Sequence, residues 1–165
     1  FGCTDPVIGK ETLPIPRPRP VVAKPDRVQP ESIEHLTTDV VERLAVASPE
    51  MAPAGWYTRE SLTRLGIWDD VQPKLIIGAD VRATLVYVET GNADAAVVYE
   101  TDAMTSKNLS ILDIVSTDSY PQIVYPAIVV SGSEEKPLAR EFLDFLRSET
   151  AAAIFLRHGF RTLLP

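Results

Sequence analysis

The sequence predicts an α/β fold with a mainly parallel sheet flanked by helices. Three observations carry this. Short apolar runs of strand length (Leu44–Ala47, 74–77 and Ala95–Tyr99) are separated by stretches whose apolar residues recur at helical spacing. The first two runs pass directly through turn residues into a helical pattern, which is the wiring of parallel strands. The length of 165 residues, 45% of them hydrophobic, suffices for one domain with a real core or for two small lobes.

Taken in order, the chain opens with a proline-rich segment. Half of its 14 prolines fall within residues 1–30, with Pro14, Pro16, Pro18 and Pro20 on alternate positions. Proline removes backbone donors and favours polyproline II, so residues 1–20 read as an extended tether kept soluble by Arg17 and Arg19. A ligand for an SH3-type domain is the alternative use of such a segment. Val21, Val22 and Ala23 form a short strand candidate, and a short helix follows Pro30 with Ile33 and Leu36 on one side.

Leu44–Ala47 is the next strand, stopped by Ser48 and Pro49. Pro53 suits the first turn of a helix, because its ring presets φ and the amide it lacks has no partner there. Ala54 and Gly55 leave the first-turn amides open to approach at the positive end of the helix dipole. The turn is therefore either an anion seat or an ordinary strand-to-helix connection. Its helix places Tyr57, Ser61, Leu62 and Leu65 on one face and stops at Gly66.

A strand over 74–77 leaves through Gly78 and Ala79 to Asp80, a suitable N-cap for a helix over 81–90 with Val81, Leu85 and Val88 buried. The strand Ala95–Tyr99 ends in Tyr99 before the polar Glu100, Thr101 and Asp102. Further strands are expected over 109–115 and 123–130, the latter bent or placed at an edge by Pro126. Two helices close the chain, with Leu138, Phe142, Phe145 and Leu146 on the first and Ile154 and Phe155 on the second. Ligands of open α/β sheets bind outside the carboxyl ends of the strands. Residues 54, 81 and 99 all lie at such ends.

Composition narrows the function classes. The 16 basic and 23 acidic residues give a net charge of −7 without a basic stripe, which weighs against nucleic acid and anionic membrane surfaces. A small anion is not excluded, since local amides outweigh a distant, screened charge. Cys3 is the only cysteine, so neither an internal disulfide nor a thiolate metal cluster is available. It is read either as the lipid-bearing residue of a lipoprotein or as a free thiol near the chain start. No phosphate loop, HExxH, CxxC or GxSxG is present. His35 and His158 are far apart, and the acid pairs Asp69–Asp70 and Glu134–Glu135 read as solvated helix starts. With no nucleophile beside a base, no enzyme is expected.

The segment SPEMAPAGWYTRESLTRLGIWDDVQPKLIIGADVRATLVYVETGNADAAVVYETDA, with IVYPAIVV and FLDFLRSETAAAIFLRHGF after it, closely resembles the second lobe of the periplasmic molybdate-binding proteins of ABC importers. The PAG-x-Y, DVR and VVY-x-(S/T)-DA blocks carry the resemblance, which covers residues 21 to 160. It implies a periplasmic-binding-protein-like lobe over 21–130, with C-terminal helices over 131–165 that return to a first lobe. It also implies a molybdate or tungstate oxyanion held by uncharged donors: the backbone N–H groups of Ala54 and Val81 and the hydroxyl of Tyr99. No cofactor and no direct cation ligand are implied. The implied partners are the membrane subunits of an ABC importer, and the implied location is the periplasm or the outer face of the cytoplasmic membrane. The family's first lobe, whose hydroxyl-bearing loops complete the oxyanion cage, lacks its N-terminal part here. Two readings follow: a solute-binding component, or a binding-defective half-protein acting as an interaction module. The apolar tail helices add the expectation of a homodimer formed through them.

Overall fold

The computed structural model describes residues 8–13, 15–16, 18–23 and 32–161, with side chains described from 32 to 160. Strands β1 (Ile8–Leu13), β2 (Ile15–Pro16) and β3 (Pro18–Ala23) come first. A 3₁₀ turn, Ile33–Thr37, leads to β4 (Leu44–Ala47), α1 (Pro53–Arg64) and the short α2 (Trp68–Val71). The pattern continues with β5 (Leu75–Gly78), α3 (Val81–Glu89), β6 (Ala95–Tyr99), the single-turn α4 (Glu100–Ala103) and β7 (Ser110–Asp113). Strand β8 (Tyr125–Val129), helices α5 (Lys136–Leu146) and α6 (Glu149–Arg157), and β9 (Phe160–Arg161) complete the described chain.

The residues form two compact units. One comprises the described residues between Pro16 and Ile123; the other takes those up to Pro16 together with those from Ile123 on. Both divisions fall a few residues before the boundaries at 20 and 130 that the sequence reading expects.

The first unit is a five-stranded sheet in the order β5-β4-β6-β3-β7. Strand β4 pairs in parallel with β5 and with β6, whereas β3 runs antiparallel to β6 and to β7. All four residues of β4 are buried, which is why that run shows no polar alternation. Helix α3 packs Leu85 and Val88 onto Ala45, Ala96 and Val98, and Ala103 of α4 closes the same cluster. On α1 the buried residues are Ala54, Gly55, Thr58, Ser61 and Leu62. Leu65, expected on this face, is exposed. It is the C-cap, and Gly66 at φ 74° turns the chain away there. In α3, Thr84 takes the fully buried place that the reading assigned to Val81, which is half-buried.

Loops are tied down by side chains as well. The Asp94 carboxylate accepts from the backbone N–H groups of Glu42 (3.1 Å) and Arg43 (2.8 Å), fixing the entrance to β4. Ser61 and Ser119 share a buried hydroxyl–hydroxyl bond of 2.5 Å, which joins α1 to the 3₁₀ turn Thr117–Ser119.

The strand candidate at 21–23 falls within β3, whereas the proline-rich run before it departs from the sequence expectation. That run, read as a hydrogen-bond-free tether, contributes β1, β2 and the start of β3. Proline is compatible with a strand at its first residue or at an irregularity. Pro18 opens β3, and the register between Pro18 and Val21 is irregular, which accommodates the donor missing at Pro20.

In the second unit, β1 pairs antiparallel with β8 in a two-stranded sheet, and β2 pairs with β9. Both strands of a two-stranded sheet are edges, which is where Pro126 was expected. The observed β7 and β8 are shorter than the expected 109–115 and 123–130. Helix α5 buries no residue, and α6 buries Ala151.

Candidate anion-binding site

Strand register determines what meets at the top of the parallel part of the sheet. Ala47 of β4 stands opposite Gly78 of β5, and Val46 stands opposite Val97 of β6. The three strands therefore end at nearly the same level, side by side, with about 4.8 Å between neighbours. Tyr99 is the last residue of β6, and Ala54 and Val81 fall in the first turns of the helices that follow β4 and β5. The topology thus gathers the three sequence-predicted residues at one edge of the sheet.

The α1 turn is tightly built. The Ser48 N–H donates to Gly78 O at 2.9 Å, joining the ends of β4 and β5. The Ser48 carbonyl accepts from Ala52 N–H at 2.9 Å, and the Ser48 hydroxyl accepts from Met51 N–H at 3.3 Å. Gly55 then lies so close to the strand that a Cβ there would collide with the Ala47 and Ser48 carbonyl groups. No side chain caps the α1 N-terminus, and Pro53 contributes no donor. Ala54 is buried and Pro53 is exposed, so the turn is seated on the strand end.

The α3 start is built differently. Asp80 is the N-cap, as its sequence position suggested, and its carboxylate accepts from Ala83 N–H at 2.8 Å. Val81 and Arg82 precede the first capped amide. Close by, burial pushes the Asp102 carboxyl above its ordinary range; the charge of Arg82 and a hydrogen bond with Thr101 pull it down, while Asp80 pushes it up. The electrostatics around the α3 start thus combine two carboxylates with one guanidinium.

Ala54 and Tyr99 also line a single cavity of about 20 Å³, together with Tyr57, Thr58 and Ser61 of α1 and with Tyr120. The cavity lies between α1 and β6, and Val81 is not among its lining residues. The ring of Trp56 meets Tyr57 edge-on at 4.9 Å, and Tyr57 meets Tyr120 at 6.3 Å.

Sequence reasoning missed Thr58 and Thr84. Each is buried, and each hydroxyl donates to the carbonyl four residues back: Thr58 to Ala54 O and Thr84 to Asp80 O, both at 2.8 Å. The available signal was a threonine in the second turn of each helix, at a position where the apolar stripe calls for an aliphatic residue.

A fold of this kind, with helix N-termini at parallel strand ends, places ligands outside the carboxyl ends of its strands. Comparison with known proteins agrees: the chain belongs to the bacterial extracellular solute-binding proteins, whose family model matches residues 16–161. It is 46% identical over 119 residues to YvgL of Bacillus subtilis, which carries the name of an ABC transporter substrate-binding lipoprotein; the match covers 72% of this chain and 46% of YvgL. It is 42% identical over 118 residues to the molybdate-binding protein ModA of Escherichia coli, again covering 72% of this chain and 46% of the relative. Among solved structures, a substrate-binding domain assigned to a molybdenum ABC transporter of Clostridium difficile superposes with a TM-score of 0.84 at 30% identity, covering 93% of this chain and 66% of that one. The periplasmic molybdate-binding protein of Azotobacter vinelandii shares the fold, with a TM-score of 0.72 at 23% identity, covering 94% of this chain and 68% of that one. The chain spans about half the length of the curated relatives it matches. Among the described residues, no helix is long and apolar enough to cross a membrane, and no group of three or more candidate ligands for a metal ion occurs.

Proposed function

We propose that this chain contributes the second-lobe half of an oxyanion site for molybdate or tungstate in an ABC importer's solute-binding component. The location is outside the cytoplasmic membrane, with Cys3 as a lipid attachment point and the importer's membrane subunits as partners. The observation that supports it best is the level ending of β4, β5 and β6, which puts Ala54, Val81 and Tyr99 at one sheet edge. The Ala54 and Val81 N–H groups and the Tyr99 hydroxyl are the donors. Neutral donors suit a fully deprotonated oxyanion, which accepts every bond offered, whereas a protonated one meets an N–H with its own hydrogen.

Calorimetric titration with sodium molybdate, alongside Trp fluorescence, tests this reading. Saturable binding is expected, and Tyr99→Phe weakens it by about 1.5–3 kcal/mol, the worth of one charge-assisted hydrogen bond. Equal affinity in the two proteins removes Tyr99 from the site, and absence of binding by the wild type overturns the reading for this chain alone.

A second reading is favoured by one observation: Leu138, Phe142 and Phe145 of α5 are all exposed. In it the chain is an interaction module that pairs with a second copy of itself through the C-terminal helices.

A further inference from the structure

We infer that Thr84 is a positioning residue for the oxyanion seat, acting on the peptide that carries the Val81 N–H; this rests on the molybdate-site reading above. Thr84 is 0% exposed, at a place where valine fills the core equally well. Its hydroxyl donates to the Asp80 carbonyl at 2.8 Å, and its own N–H donates to the same oxygen at 3.0 Å. The Asp80 carbonyl and the Val81 N–H belong to one planar peptide unit and point in opposite directions. Two bonds on the oxygen therefore fix the direction in which the N–H is presented.

Helix stability does not account for the hydroxyl. That carbonyl already has its helical bond, and back-bonding of this kind is neutral to slightly unfavourable for a helix. Neighbouring groups make room for it. A Cβ on Gly78 would lie 2.5 Å from Thr84 Oγ1 and 3.0 Å from Thr84 N, so the end of β5 must lack a side chain for the hydroxyl to sit where it does. The Gly78 carbonyl in turn accepts from Ser48 N–H, and the Ser48 backbone abuts Gly55. A continuous path of bonds and contacts runs from the Val81 peptide to the turn that holds Ala54. In α1 the Thr58 hydroxyl also donates to the carbonyl four residues back, Ala54 O, but that oxygen shares its peptide with the Gly55 N–H and not with the Ala54 N–H.

The test uses Thr84→Val, which removes only the hydroxyl's hydrogen bonding, and Thr84→Ser, which keeps it. Molybdate is titrated into each 165-residue chain, thermal unfolding is followed, and the ¹H–¹⁵N dipolar coupling of Val81 is measured without ligand. Thr84→Val is expected to bind about tenfold more weakly and to change the Val81 coupling, while Thr84→Ser stays within about twofold of wild type. Should Thr84→Val fail to fold, Thr84→Ala, which also lacks the hydroxyl, is measured in its place and is expected to change the Val81 coupling in the same way. An unchanged Val81 coupling in Thr84→Val, or a loss in Thr84→Ser as large as in Thr84→Val, overturns the assignment. If the wild type binds no molybdate, the site reading falls, and the Val81 coupling alone decides whether Thr84 orients that peptide.

Discussion

Asp102 shows how one residue ties the strand end to the solvent. It follows Tyr99 within α4, with its carboxyl half-buried and held above the ordinary aspartate value of 3.8 chiefly by burial, against the pull of Arg82. The folded protein therefore keeps this proton at pH values where the unfolded chain has released it. The folded state then binds more protons than the unfolded one, so stability falls as pH rises through this window. The contribution is full below the unfolded value and is lost as pH climbs through the raised, folded one. Asp102→Asn, which cannot ionise, is expected to gain on wild type as pH increases from about 4. Urea midpoints across a pH series decide it; parallel curves for the two proteins mean that Asp102 titrates as it does in the unfolded chain. Residue-level chemistry of this sort was only partly legible in the sequence. Asp80 was, because an aspartate ahead of an apolar helical stripe is an N-cap wherever it occurs. The raised Asp102 was not, because it depends chiefly on burial, which only the fold creates.

Among the elements, the parallel strands and their helices were readable since their signals are local: an apolar run, a stop and an apolar stripe. Ala54, Val81 and Tyr99, which the family resemblance proposes as donors, each fall in the first turn or at the last residue of such an element. Strands β1 and β2 and the start of β3 were misjudged, though the strand at 21–23 was not, because proline content describes local preference, while pairing to β8, β9, β6 and β7 involves residues up to the far end of the chain. The second-turn threonines escaped notice because a buried hydroxyl looks, in sequence, like any polar helix residue. At the junction of β4 and α1, Gly55 is the tightest point, its missing Cβ facing backbone that cannot swing aside. Gly55→Ala must push the helix start off the strand end. By the usual cost of overpacking, it is expected to destabilise the protein by about 1–3 kcal/mol and to weaken oxyanion affinity together with it. Chemical denaturation and the molybdate titration measure the two effects, and wild-type values in both mean that the turn relaxes without moving its amides.

For the molecule as a whole, the unexplained surface is on the C-terminal helices. Leu138, Phe142 and Phe145 follow one another at i, i+4 and i+7 along α5, and the first two are 61% and 58% exposed. Ile154 and Leu156 of α6 are exposed as well, whereas Leu146 is half-buried and Phe155 turns its ring edge-on to Phe160 at 5.9 Å. Each large apolar side chain left in water forgoes about 1.5–3 kcal/mol of burial. A contiguous group of this size on a monomer marks a contact surface. Two occupants compete: a second copy of this chain, and the length that its relatives carry beyond the matched region. We favour the second copy for the chain on its own, because a single amphipathic stripe presented twice about a two-fold axis is self-complementary. Light scattering on the dilute chain is expected to give a dimer mass, and Phe142→Glu is expected to halve it while leaving the circular dichroism of the sheet unit unchanged. A monomer at micromolar concentration rules the homodimer out and assigns the face to another polypeptide segment.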